Sequence, residues 1–542
     1  MQLSPAVRSL CDSFFANTVE NNEVYIVKWT FPDGAFPDLS LERAHQDSLL
    51  ADETEAQARA LLENCASHED EIILRVLIYY CGYIRKNEQN YWLRFDLNHS
   101  YRTIPTFLEK LLALPVDTAG QQAFYLKVLE NFTPFVQFLH NKLAEQARRY
   151  IRLPKEGCRL VIRSLQDCAD MLEETNRFPQ AAPASAALTR AIEALTAYIE
   201  GEYFTLAPEI IGMGQYPGGA DLYARQVETY ISCNASPEEI QRIGRQALQD
   251  TEDQMLAIAR SLGHTGTLKE FKEQVQNDPR FRFSTPEEMQ ETMTAYLDKI
   301  RPLMPLYFGR MPKADCAVAR LDPASEATSS WGYYNVPNEK PIGIYYYSAA
   351  ELDKRCQIRT NAVVYHELLP GHHYQMNLVL EDPTVPEIIR HHYNTAYADG
   401  WAEYASGFCR DLGLYTPYNE FGRLSWDSFL CCRLLVDTGL NALGWTQQEA
   451  VDFLKEHTMF TDAEIRTELV RYTIGMPAQA LAYKWGSLKF AEFRRRTQQA
   501  LGDRFDLKDY HDALLQFGAI PLDILEKHLD WYIETRKAEV TP

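Results

Sequence analysis

The sequence predicts a large, mainly α-helical fold of many helices, with one small β-sheet ahead of a histidine-rich helix. Two patterns support this prediction. Apolar residues recur at three- and four-residue spacing through most of the chain, whereas residues 316–348 are rich in Val, Tyr, Trp, Gly and Pro. The 542 residues, of which 46% are hydrophobic, are enough to bury a large core.

Helices are predicted where the apolar spacing is most regular, at residues 106–117, 123–151 and 186–204. A further helix is predicted to begin after Ser236, because Ser is a favourable cap and Pro237 fits a first turn. Gly263 is predicted to end that helix. The best candidate for a boundary between regions is the stretch 179–187, "PQAAPASAA".

The sheet is predicted from two short segments that are rich in β-branched and aromatic residues. These are "CAVARL" at 316–321 and "IGIYYY" at 342–347. Pro337 and Asn338 lie between them and are typical of a turn. After this sheet the helical spacing returns and continues to the end of the sequence.

Composition excludes several classes of partner. The formal net charge of −21 opposes binding to nucleic acid or to anionic membranes, which need clustered Lys and Arg. The 11 cysteines show no repeated C-x-x-C spacing, which indicates reduced thiols. No basic stretch followed by a long apolar run occurs in the first 20 residues, and the most apolar segment, 71–86, is interrupted by Arg75. We therefore expect a cytoplasmic protein without nucleic-acid or membrane partners.

The segment 361–380, "NAVVYHELLPGHHYQMNLVL", carries the densest cluster of potential metal ligands. In an unbroken helix His366 and His373 would share one face, whereas His372 would lie about 120° from His366. Pro370 removes a backbone N–H and Gly371 adds freedom, so a local widening or kink is expected to bring His372 to the same side. Histidines that are merely hydrogen-bonded in a core are the alternative. A Pro inside a helix costs about 3 kcal/mol, which favours a functional reason and hence a metal site.

Two histidines need a third ligand to form a catalytic zinc site. Asp399 and Glu403 lie four residues apart in "NTAYADGWAEYASGF" and so share a helical face. Either carboxylate can complete the set, and a solvated acidic face is the alternative. The neighbouring Tyr397, Trp401 and Tyr404 favour a helix that is partly buried.

Five segments in a fixed order carry a resemblance to a known family. They are "YHELLPGHHYQ", "ADGWAEYASGF", "RLLVDTGLNALGWTQQEAV", "RYTIGMPAQALAYKWG" and "DYHDALLQFGAIPLDIL". This series resembles the bacterial and fungal proteins of the 885 family of domains of unknown function, which look like helical zinc peptidases of the gluzincin kind. The resemblance covers roughly Ile211 to the C-terminus. It implies a multi-helix metallopeptidase-like fold, with residues 1–200 as an N-terminal helical region and 201–542 as a zinc-peptidase-like catalytic region of one integrated fold.

The resemblance also implies roles for individual residues. The family pattern H-E-x-x-P-G-H makes His366 and His372 the histidine ligands of Zn²⁺ and Glu367 the catalytic base. The family's later E-G-W-A pattern places the third ligand at Asp399, where this chain has Asp instead of Glu. Glu403 is the alternative ligand.

Other positions follow from the resemblance or depart from it. Tyr483 is the expected donor to the oxyanion of the transition state. Arg471 and His373, together with Glu403, are the candidates for substrate binding. Ser406 stands where the family usually has a second Glu, and Asn441 where it often has His.

Together these residues predict a zinc-dependent hydrolase of amide bonds in small peptides or amino-acid conjugates, in which Glu367 takes a proton from a metal-activated water. Two alternatives remain open at this stage. One is a family member repurposed for a non-hydrolytic or biosynthetic step, with or without metal, and the other is a binding protein without catalysis. The sequence does not indicate an oligomeric state.

Overall fold

The computed structural model describes residues 1–18, 30–98, 103–322, 326, 332–337, 341–350, 352, 355–391 and 393–539. The helices of the first part of the chain are α1 Pro5–Thr18, α2 Leu41–Glu63, α3 His68–Gln89, α4 Thr103–Leu112, α5 Ala119–Arg148, α6 Lys155–Gln166, α7 Ala169–Glu174, α8 Ala182–Tyr198, α9 Gly219–Ile231, α10 Pro237–Ser261, α11 Leu268–Asn277, α12 Pro286–Ile300 and α13 Met304–Tyr307.

Local sequence signals account for the ends of many of these helices. Ser236 caps α10 by accepting a hydrogen bond from the backbone N–H of Glu239 at 3.2 Å. Gly263 follows the last turn of α10 with a φ of +89°, a conformation that favours glycine. The helix predicted at 106–117 is shorter than expected and ends at Leu112.

A three-stranded sheet lies between the two groups of helices in the sequence. Its strands are β1 Asp315–Arg320, β2 Tyr333–Asn335 and β3 Ile342–Tyr347, in the order β1-β3-β2. β1 is parallel to β3, and β2 is antiparallel to β3. Both predicted strands are therefore confirmed. The predicted turn falls partly on Asn338, which lies outside the described residues.

Helices resume after the sheet and carry the histidine-rich segment. They are α14 Thr360–Glu367, α15 His372–Leu380, α16 Glu387–Arg390, α17 Thr395–Phe408, α18 Pro417–Asn441, α19 Gln447–His457, α20 Asp462–Val470, α21 Leu481–Leu501, α22 Leu507–Leu515 and α23 Leu522–Ala538. A π-helical turn at Arg471–Gly475 follows α20. The mainly helical fold class predicted from the apolar spacing is confirmed.

One hydrophobic core joins the two ends of the chain. The largest cluster of buried hydrophobic residues extends from Val7 in α1 to Leu529 in α23. The stretch 179–187 forms a single 3₁₀ turn and the start of α8, with Ala181 fully buried. Residue 200 lies in a π-helical turn, Ile199–Tyr203, that continues α8. Neither position therefore separates one core from another.

Two further features bear on the expectations from composition. Each of the 11 cysteines is a free thiol. Within the described part of the chain, none of the helices combines the length and the apolar composition needed to cross a bilayer.

Acidification is expected to destabilise the metal-free protein between about pH 6.5 and pH 4. Burial lowers the pKa of His511 and of His528 to about 4, and their ring nitrogens contact the carbonyl oxygens of Tyr307 and Ala513 at 2.9 and 3.0 Å. The unfolded chain, whose histidines have a pKa near 6.5, binds more protons in this window. The free energy of unfolding should fall by up to about 1.4 kcal/mol per pH unit for each histidine.

Urea unfolding at pH 7, 6 and 5 measures this slope. His511→Gln should reduce it, whereas His264→Gln, at an exposed hydrogen bond beside α11, should leave it unchanged. Equal stability at pH 7 and pH 5 would show that these buried histidines are not neutral in the folded protein.

Candidate metal centre

The histidine-rich segment consists of two helices and not of one kinked helix. α14 ends at Glu367, α15 begins at His372, and Leu368 (ψ −95°) and Gly371 (ψ −130°) both leave the helical conformation. The bond between Leu369 and Pro370 is cis. The interruption expected at Pro370 and Gly371 is therefore present, but it is a complete break and not a widening or kink within one helix, because Pro370 cannot donate the hydrogen bond that would continue α14.

Long-range contacts hold this break in place. The indole Nε1 of Trp401, on α17, donates to the carbonyl oxygen of Pro370 at 2.9 Å. A Cβ atom on Gly371 would lie 1.7 Å from the carbonyl oxygen of His366. Only glycine allows the chain to turn back closely enough to start α15 beside the end of α14.

Gly371→Ala is expected to lower the free energy of unfolding by about 1–3 kcal/mol and to weaken metal binding. The added methyl group would force the backbone between His366 and His372 to move. Urea unfolding and a zinc titration measure the two effects. Gly120→Ala is the matched control, since a Cβ there meets no atom of the described chain within 4 Å. A Gly371→Ala protein with wild-type stability and zinc affinity would contradict this role.

The break brings two histidines and one carboxylate together. The ring centroids of His366 and His372 lie 4.7 Å apart, and Nε2 of His372 lies 3.4 Å from Oδ1 of Asp399. One potential ligand atom from each of these three residues lies within 4.8 Å of the other two. Two ligands of a tetrahedral zinc ion, each about 2.1 Å from the metal, are roughly 3.4 Å apart. The donor set and its spacing therefore fit Zn²⁺.

Glu403 lies behind His366 and not among the three converging groups. Its Oε1 lies 3.0 Å from Nδ1 of His366 and accepts a hydrogen bond from Nε1 of Trp426 at 2.7 Å. A carboxylate on the far nitrogen of a ligand histidine orients the ring. This position favours an orienting role over the expected contact with substrate.

The site carries more negative than positive charge. Burial lowers the pKa of His366, but the Glu403, Glu367 and Asp399 carboxylates outweigh it and raise the pKa to about 9. Burial raises the pKa of Glu367, and His366 and His372 oppose that rise. Three carboxylates beside two imidazoles are an environment that favours a bound cation.

His373 is held by the fold on both ring nitrogens. Its Nε2 lies 3.1 Å from the carbonyl oxygen of Ala314, and its Nδ1 lies 2.9 Å from the hydroxyl of Tyr334 in β2. Because the carbonyl can only accept, Nε2 donates and Nδ1 accepts. Burial lowers the pKa of His373 to about 4. These contacts fasten α15 to the sheet and favour a structural role for His373 over the predicted contact with substrate.

Tyr483 and Arg471 meet near the site but are also bonded to each other. Nη2 of Arg471 donates to the hydroxyl of Tyr483 at 3.2 Å and to Oε1 of Gln479 at 2.6 Å. Lys484, next to Tyr483, pairs with Asp427 at 2.6 Å and is therefore not directed at a substrate carboxylate.

Tyr393 contacts the cluster directly but was not among the site residues predicted from the sequence. Its hydroxyl donates to Oδ2 of Asp399 at 3.3 Å, and its ring centroid is 6.4 Å from that of His372. Although the Tyr393 side chain is 36% exposed, partial burial of its hydroxyl, then Asp399 and Tyr483, raises its pKa above the usual range. Its position, two residues before the start of α17, is the one sequence feature that could have suggested a place beside Asp399.

The Asp399 and Tyr483 helices cross with almost no side chain between them. α17 packs along α21, and a Cβ on Gly400 would lie 2.5 Å from the Cα of Gly486. A Cβ on Gly486 would lie 2.1 Å from the carbonyl oxygen of Ala396. The two glycines therefore fix the separation of the helices by backbone contact.

Family membership follows from the sequence as a whole. The model of a family described as "Bacterial protein of unknown function (DUF885)" matches residues 25–529. The chain belongs to the DUF885 family. No curated protein has significant sequence similarity to it.

Solved structures share this DUF885 fold at low sequence identity. A "putative lipoprotein" from Colwellia psychrerythraea is 21% identical with a TM-score of 0.85, over 98% of this chain and 99% of that one. A second "putative lipoprotein", of unknown function, from Shewanella oneidensis is 14% identical with a TM-score of 0.76, over 97% and 99% of the two chains. A Pyrococcus furiosus carboxypeptidase in an apo-Mg form covers 99% of both chains at 10% identity, but its TM-score of 0.40 supports no argument.

The cytoplasmic location expected from the sequence is contradicted by these two full-length similarities, since both proteins are described as lipoproteins. The expectation depended on free cysteines and on the first 20 residues. Disulfide bonds are common in oxidising compartments but are not required there, so free thiols do not establish a location.

The two further departures from the DUF885 pattern occupy structural positions. Ser406 Oγ donates to the carbonyl oxygen of Ala362 at 3.2 Å and thereby joins α17 to α14. Asn441, which is 1% exposed, accepts from the backbone N–H of Met213 at 2.9 Å and donates to the carbonyl oxygen of Tyr472 at 2.9 Å. These hydrogen bonds direct both side chains to backbone groups and not to the metal cluster.

Proposed function

We propose that this protein is a zinc-dependent hydrolase of amide bonds in small peptides or amino-acid conjugates. The observation that carries the proposal is the convergence of His366, His372 and Asp399 beside Glu367. His366 and His372 would hold the ion through imidazole nitrogens and Asp399 through a carboxylate oxygen. The mainly helical fold and the DUF885 family are compatible with this chemistry, although neither defines an activity.

Zinc, when bound, lowers the pKa of a coordinated water towards about 7 and polarises the carbonyl of an amide. Glu367 would take the proton from that water and pass it to the leaving amine. A carboxyl group whose pKa is raised by burial is a stronger base than an exposed carboxylate, which suits it to take up a proton and pass it on.

Several neighbouring side chains would position these groups. Glu403 would orient the imidazole of His366, and Tyr393 would hold Asp399 through its hydroxyl. Tyr483, supported by Arg471, would donate to the oxygen that becomes negative in the transition state.

Metal removal is expected to abolish hydrolysis, and added zinc to restore it. Protein expressed with sufficient zinc should contain about one ion per chain and should cleave members of a library of short neutral peptides. Elemental analysis and product detection by mass spectrometry, before and after treatment with a chelator, measure both properties. Zinc-free protein after such expression would contradict the proposal and favour a family member without hydrolytic activity, as would cleavage that a chelator leaves unchanged.

A further inference from the structure

A cavity of about 370 Å³ lies at the N-terminal end of α17, the helix that carries Asp399. Tyr393 lines this cavity and donates to Asp399, so the cavity and the cluster share that side chain. Gln479 also lines it and accepts from Arg471, the partner of Tyr483. A volume of this size is at the lower end of the range for small-molecule sites and fits a dipeptide-sized group.

The described wall of the cavity is rich in aromatic side chains, and its charged side chains lie next to groups of opposite charge. Two of its charged side chains are paired, Lys86 with Glu228 at 2.9 Å and Asp96 with Lys142, and the imidazole of His391 contacts Glu387 at 2.9 Å. Arg94, the remaining ionised side chain of the described wall, lies 3.9 Å from Asp96. A charged ligand would therefore lose its hydration here without gaining a free opposite charge.

The neutral part of the wall offers hydrogen-bonding groups and ring faces. Tyr79, Tyr83 and Tyr230 contribute rings, and Asn87 and Gln226 contribute amides. The Oε1 atom of Gln226 is buried and has no hydrogen-bond partner among the described residues. A buried acceptor of this kind favours a ligand that carries an N–H group.

We propose that this cavity binds the part of the substrate next to the scissile amide, and that this part is an uncharged peptide segment with amide or aromatic side chains. This inference rests on the proposed function only in assuming that the bond cleaved is an amide. Binding itself needs none of the three metal ligands, because the described lining does not include His366, His372 or Asp399. The cavity would thus select the substrate while the metal cluster acts on it.

Calorimetric titration of the full-length protein tests the preference for an uncharged ligand. The probes are N-acetyl-glutaminyl-tyrosinamide, its glutamyl analogue of equal size and its lysyl analogue. The neutral probe should bind at least about tenfold more tightly than either charged analogue, both in zinc-loaded and in chelator-treated protein. Equal affinities for the three probes, or no binding of the neutral one, would overturn the inference. A protein without hydrolytic activity that still shows this preference would contradict only the proposed function.

Two variants locate the binding. Gln226→Leu should weaken binding of the neutral probe by about five- to tenfold, since it removes the acceptor. Gln254→Leu, at an exposed position of α10, should leave that binding unchanged. Asn87→Trp should fill the cavity and abolish binding with an unchanged melting temperature, which covers the case in which Gln226→Leu fails to fold. Wild-type affinity in Asn87→Trp, or in a folded Gln226→Leu protein, would place the probe elsewhere.

Discussion

Glu367→Gln is expected to lower kcat for amide hydrolysis by about 100- to 10,000-fold, while zinc content stays at about one ion per chain. The amide of Gln keeps the size of the side chain but cannot take a proton from water. Glu367 follows His366 and ends α14, and it lies close enough to His366 and His372 for both to lower its pKa, without being part of the converging set. Loss of a base should appear in kcat and kcat/KM together, with little change in substrate binding.

Elemental analysis and steady-state kinetics on one peptide substrate separate the two properties. Glu273→Gln, on the exposed face of α11, is the matched control and should retain both. A Glu367→Gln protein with normal turnover would show that another group is the base. A protein that loses its zinc would show that Glu367 is a ligand.

Asp399→Ala is expected to release the metal, whereas Asp399→Glu should retain it or bind it more tightly. The Asp399 carboxylate lies 3.4 Å from Nε2 of His372, at a separation suited to two ligands of one ion. The longer Glu side chain, which the family resemblance implies at this position, would reach the same position from α17. Removal of the carboxylate would leave two imidazoles, too few for a stable site.

Glu403→Ala is the internal comparison, with an expected loss of about 10–100-fold in metal affinity. Its carboxylate contacts His366 and Trp426 and would act only through the imidazole. Zinc titrations of the three variants in one buffer decide between the two carboxylates. An empty site in Glu403→Ala together with a full one in Asp399→Ala would reverse the two roles.

The sequence predicts the fold where local signals determine it. The strand expected at 342–347 coincides with β3, and the cap at Ser236 begins α10, because alternation and capping depend on neighbouring residues. Local signals predicted an interruption at Pro370 and Gly371, but not that the helix would break completely over residues 368–371. There the chain path depends on Trp401, a residue 31 positions away, which no local periodicity reports.

The candidate site shows the same division. His366, His372 and Asp399 were selected from ligand type and motif, and the fold brings them together. The structural partners of His373 could not be predicted, because Ala314, just before β1, and Tyr334, in β2, are distant in sequence. Interactions of this range become visible only once the packing of α15 against the sheet is known.

The contact between Gly400 and Gly486 also constrains how this protein can diverge. Because backbone touches backbone at this crossing, no exchange of side chains can adjust the gap between the Asp399 helix and the Tyr483 helix. A larger residue at either glycine would displace Asp399 and Tyr483, the proposed metal ligand and the proposed oxyanion donor, at once. Substitutions that leave Asp399 and Tyr483 in place are easier to accommodate in the first hundred residues. These residues supply much of the cavity wall, including Tyr79 and Asn87. New binding preferences can arise there while Asp399 and Tyr483 keep their positions.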